Sequence, residues 1–231
     1  MFFFLPWGHD QPVYDRPWLT YTLVSACTAV FLVSAYFQVL AERDLDAAAI
    51  RVEARLETAP WATVAFTVRG MPEPAASIVA DLTDTARPGD PELEAAVLDV
   101  IAAMNRMPSF RFGWKPALPS LRGALGHAFM HADIVHLLGN MLLLFLAGSV
   151  LECFWRRWAY ALLYVTAGAC GLAAHHFSDP SSGIPVIGAS GAIAGLLGAF
   201  VIGYPRTRIR IFYFFLFRCS VGGTGTHRRS W

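Results

Sequence analysis

Charge is scarce in this chain. Asp, Glu, Lys and Arg make up only 15% of its 231 residues, against about a quarter in soluble domains, which excludes a surface that faces water all round. Lysine is almost missing: Lys115 is the single Lys among 18 basic residues. The net charge of +1 leaves no cationic excess to follow a phosphate backbone, and no nucleic-acid partner is expected. Cys27, Cys153, Cys170 and Cys219 form neither a disulfide framework nor a zinc-ligand spacing, so no metal or other cofactor is expected. The apolar start, Met1 to Trp7, lacks a basic region and a small-residue cleavage site, and reads poorly as a signal peptide.

What the chain does contain is apolar: 55% hydrophobic residues and a mean hydropathy of +0.46. A membrane-crossing helix needs about 20 mostly apolar residues. Residues 18–40 qualify without a single charge, and residues 134–151, 158–177 and 187–204 follow as further spans. Residues 209–217 begin a fifth that stops at Arg218, too short to cross. The expected fold is all-α, a polytopic membrane bundle. It divides into a cytoplasmic segment 1–17, a first span 18–40, an extramembrane insertion 41–119, a core 120–217 and a polar tail 218–231. In the insertion, Leu45, Ala49, Val52 and Leu56 keep helical spacing, as do Leu93, Val97, Val100, Ile101 and Met104. Asp90, Pro91, Glu92 and Glu94 mark the start of the second of these helices, and Pro108 its end. Val64, Phe66 and Val68 alternate as a short strand would. The insertion thus reads as a small helical cap.

Short-loop charges orient the spans. Arg156 and Arg157 separate the second and third, Arg206, Arg208 and Arg210 follow the fourth, and the loop 178–186 has no Lys or Arg. The positive-inside rule puts the arginine clusters in the cytoplasm and the insertion outside.

Two stretches carry polar groups at a depth where such groups are expensive and usually functional. Ser190 lies within Gly188-Ala189-Ser190-Gly191, about one turn into the fourth span, and His136 and Asn140 share a helical face at the same outer depth of the second. His127 and His131 are read as sharing another face. A zinc site on these histidines is disfavoured, because Ala128 stands where the zincin pattern needs Glu. Gly191, Gly195 and Gly198 suit close helix packing, and Ala192 breaks the soluble hydrolase elbow.

The arrangement resembles the rhomboid family of intramembrane serine proteases. Its second-span pattern of three histidines and an asparagine is met by His127, His131, His136 and Asn140, and its G-x-S-G pattern by Gly188, Ser190 and Gly191. Arg122 resembles the Arg of the family's W-R pair, although Leu121 replaces the Trp. The resemblance covers residues 118–217 and the first span. It implies an endopeptidase that cleaves transmembrane segments of membrane proteins. Ser190 is the implied nucleophile; Asn140, His136 and the Ser190 amide hold the oxyanion; His131, His127, Gly188 and Gly191 support the site. The alternative is a non-catalytic rhomboid-like protein that binds transmembrane helices. The family's base, a His on a sixth span, has no counterpart: His227 lies in a polar tail, and His175 and His176 close the third span. The change of composition at Arg218 leads us to expect a lost reading frame or a truncated chain. Arg- and Ala-rich usage suggests a bacterial plasma membrane.

Overall fold

The computed structural model describes residues 2–9, 16–65, 79, 81–83, 89–207 and 209–215, the first and last stretches as backbone only. Helix α1, Trp18–Thr58, runs through the expected boundary at residue 40 without a break. No Gly or Pro interrupts its sequence, and Ala, Leu, Glu and Arg after residue 40 favour helix. Pro60 then disfavours continuation. The two expected pieces, a span and an insertion helix, are one rod.

Helix α2, Pro91–Arg106, is capped by the Asp90 carboxylate, which accepts from the Leu93 amide at 2.9 Å. It returns along the outer part of α1. Leu93, Val97 and Met104 bury against Val64, Val79 and Ala62, with Leu45, Val52 and Leu56 of α1 packed on them. Arg55 clamps the hairpin: its Nε and Nη2 donate to the two Asp90 oxygens at 3.0 and 2.6 Å, and its Nη1 lies 3.0 Å from Glu92. Val64 forms only an isolated bridge, to Thr83; Phe66 and Val68 lie outside the described residues.

Two short helices follow, α3 (Pro108–Phe112) and α4 (Leu121–Gly126), then a 3₁₀ turn at His127–Phe129. Helices α5 (Ile134–Phe154), α6 (Arg157–Ser178) and α7 (Ser190–Gly203) complete a bundle with the inner part of α1. α5 is its centre: Leu144, Ala147, Val150 and Leu151 are fully buried against Cys27 of α1, Tyr160 of α6 and Leu196 of α7. α1 and α5 are each long and apolar enough to cross a membrane; α7, with 14 residues, is shorter.

At the end of the bundle away from α2, Glu152 of α5 completes the start of α1. Pro17 offers no side-chain cap. The Glu152 carboxylate accepts instead from the amides of Leu19 and Thr20, each at 2.8 Å, and from the Thr20 hydroxyl at 2.9 Å. It satisfies donors that a helix start leaves free and sits at the positive end of the dipole. The stretch expected to begin a fifth helix is extended instead: strand β2, Ile209–Phe215, pairs antiparallel with β1, Phe2–His9.

Candidate active site

α5 begins at Asp133, whose carboxylate accepts from the His136 amide at 2.8 Å. This cap fixes the turn that carries His136. One turn on, Asn140 is 6% exposed, and its Nδ2 donates to the His136 carbonyl at 3.0 Å. The pair thus shares a face as its spacing requires.

His127 and His131 do not. His127 is in the 3₁₀ turn and His131 in the loop before Asp133, so the helical face expected for them is absent. The reason is the Asp133 cap, which starts the helix only after them. Each has a structural position instead. His127 Nδ1 lies 2.8 Å from the Ala124 carbonyl. The His131 ring stands edge-on to that of His136, with centroids 5.2 Å apart. Burial lowers the pKa of both imidazoles below the ordinary histidine range, against opposing hydrogen bonds to backbone carbonyls. Burial thus favours the neutral form of each ring.

Gly188 brings the two halves together. Its amide donates to the His127 carbonyl at 2.8 Å, and its φ of 109° lies where L side chains are strained. A Cβ there would stand 2.8 Å from both Cε1 and Nε2 of His136 and 3.7 Å from Asn140 Nδ2. Only a residue without a side chain fits this approach. The same backbone turn moves the start of α7: Ser190 is its first residue, not one turn in, and it is exposed. Amides at such a start have no intrahelical partner and face any anion with the positive end of the dipole.

The segment before Ser190 is held from outside the bundle. Trp114 and Val186 exchange hydrogen bonds of 3.0 and 2.7 Å, and the Ala117 amide donates to the Ser182 carbonyl at 3.0 Å. A Cβ on Gly113 would lie 2.7 Å from Pro185. This brace was not anticipated. Behind the site α6 and α7 touch through small residues. A Cβ on Gly171 would lie 3.2 Å from the Gly191 Cα, and one on Gly195 would collide with Ala167. His175 sits one turn beyond Gly171 on that face of α6 and is exposed; His176 is half-buried. Among the described residues nothing hydrogen-bonds the Ser190 hydroxyl. His227 lies outside them.

Residues 120–223, which hold His127, His131, His136, Asn140, Gly188 and Ser190, match the rhomboid domain. The chain carries a rhomboid domain. That domain implies an integral membrane protein, and the mostly helical bundle is consistent with one. The chain is also 31% identical over 122 residues to rhomboid-related protein 1 of Caenorhabditis elegans, a match covering 48% of this chain and 34% of that relative. The chain thus spans about a third of the length of the curated relative it matches. No solved structure matches it significantly. Rhomboid proteins are generally intramembrane serine proteases.

Proposed function

We propose that this rhomboid protein supplies the nucleophile and the oxyanion site of an intramembrane serine endopeptidase acting on transmembrane segments of other proteins. The observation that carries the reading is the approach of the Gly188 backbone to His136 and Asn140, two residues ahead of an exposed serine at a helix start. The Ser190 hydroxyl attacks the scissile carbonyl carbon. The carbonyl oxygen, now anionic, takes hydrogen bonds from the Ser190 amide, the Asn140 side chain and the His136 ring. Asn140 must then turn its amide from the His136 carbonyl it holds at 3.0 Å, a bond of about 1 kcal/mol net. His127 and His131 hold the loop against which Gly188 docks. The base that takes the serine proton is unassigned; His175 is the described imidazole that helix register brings toward the head of α7. The compartment proposed is a bacterial plasma membrane, with the site toward its outer face.

A second reading has its own observation: the Ser190 hydroxyl has no basic partner among the described residues. On that reading the groove binds transmembrane helices without cutting them. A fluorophosphonate probe on the purified full chain decides. Labelling abolished by Ser190→Ala and cut about 100-fold by Asn140→Ala supports the protease. Absence of labelling in the unaltered chain supports the binder.

A further inference from the structure

Two cavities meet at Arg111, on the outer side of the bundle and apart from Ser190. One, of about 480 Å³, is an apolar groove between α1 and α3, walled by Val33, Phe37, Phe112 and Met130, with Arg106 and Arg111 at its rim. The other, of about 620 Å³, is lined by Arg111, Lys115 and Arg122. Both fall in the size range of ligand clefts, about 300–1,000 Å³. No carboxylate lines either one.

Arg106 donates to Asp44 at 2.7 Å. The other three cations have no acidic partner among the described residues. Arg111 and Arg122 lie 5.7 and 6.0 Å from the centre of the Phe112 ring, and Lys115 lies 5.3 Å from that of Phe110. Burial, helped by the nearby Arg122 charge, lowers the Lys115 pKa. An anion in the second cavity would relieve that repulsion.

Depth decides what kind of anion. Val33 and Phe37 are 60% and 52% exposed and belong to the apolar part of α1, toward its outer end, so the groove opens to acyl chains. Leu121 and Leu125, on either side of Arg122, are 76% and 66% exposed. A helix with bare leucines beside arginine fits the membrane–water interface. The apolar groove and the cationic cavity therefore lie in the order of an acyl chain and its headgroup.

We infer that the junction of α1, α3 and α4 is a binding site for one anionic phospholipid of the outer leaflet, its phosphate held by Arg111, Lys115 and Arg122 and an acyl chain lying along Val33 and Phe37. The site is independent of Ser190 chemistry. It ties the insertion to the bilayer through the same loop that braces the segment before Ser190.

The test is native mass spectrometry of the full chain taken from nanodiscs containing equal phosphatidylcholine and phosphatidylglycerol. One phosphatidylglycerol is expected to remain bound in preference to phosphatidylcholine. Arg111→Gln with Lys115→Gln should lower that retention roughly 30-fold, at about a fivefold loss for each cation near an anionic surface. Val33→Trp, which fills the groove and leaves every cation in place, should also release the lipid. Should the double variant misfold by circular dichroism, Val33→Trp alone decides. Equal retention of the two lipids, or retention unchanged by Val33→Trp, overturns the proposal. So does displacement of phosphatidylglycerol by millimolar inorganic phosphate, which would mark a site for a free anion.

Discussion

Replacing Gly188 by Ala tests whether the meeting of α5 with the Ser190 segment depends on a missing side chain. Two costs arise at once. A φ of 109° is strained for alanine, which costs about 1–3 kcal/mol. The new methyl would also stand 2.8 Å from two atoms of the His136 ring. That ring has little freedom to move, because the half-buried face behind it meets His131, itself 7% exposed. Forcing a buried ring aside adds about 1–3 kcal/mol. Gly188→Ala should therefore destabilise the chain by about 2–6 kcal/mol in reversible unfolding from dodecyl maltoside into SDS, followed by circular dichroism. Gly198→Ala is the control. It lies inside α7 with nothing within 4 Å of its added Cβ, and alanine favours helix over glycine by about 1 kcal/mol, so the change should be neutral or stabilising. If the two variants unfold at the same SDS fraction, the close approach at Gly188 does not exist as described.

Other outcomes follow from the remaining contacts. Glu152→Gln leaves an amide where a buried carboxylate takes three hydrogen bonds from the start of α1; a loss of about 2–3 kcal/mol is expected in the same SDS titration, and Thr20→Val should lose less. Arg55 beside Asp90 holds that carboxyl at a pKa of about 2, with the Leu93 amide contributing. Because this pKa is depressed in the folded hairpin, its contribution is complete above the unfolded value of about 3.9. The contribution drains away as pH falls from there through about 2. Hydrogen exchange in α2 should therefore rise between pH 4 and pH 2, and Asp90→Asn, which keeps a cap but not the ion pair, should flatten that rise. A rise centred near pH 4.5 instead would assign the transition to another group.

Hydropathy alone located α1, α5 and α6 as helices; of these, α1 and α5 are long and apolar enough to cross a membrane. It misplaced what hydropathy does not measure. Residue 40, where apolar residues give way to charged ones, was read as the end of a span; it is not the end of the helix, because helix propensity continues to Thr58 and the backbone follows propensity. The histidine pair was carried onto one helix because periodicity was extended backward past Asp133, a start signal in plain view. The late start of α7 follows from Gly188, whose positive φ was implied by no neighbouring residue type. Within the candidate site, the spacing of His136 and Asn140 was legible as a shared face. Nothing local announced the brace between Trp114 and Val186, nor the reach of Glu152 to Thr20; both join residues dozens of positions apart or more. The apolar stretch after Thr207 has too few residues to distinguish a helix start from an extended run.

The unbroken course of α1 has a mechanical consequence. A rod of 41 residues is roughly 60 Å long, with no hinge between its two ends. Glu152 pins one end and the Arg55 clamp grips the other. A load applied to the hairpin of α1 and α2 cannot be absorbed by a flexible joint, so it emerges as a change of tilt beside α5. The insertion is thus geared to the bundle like the handle of a lever.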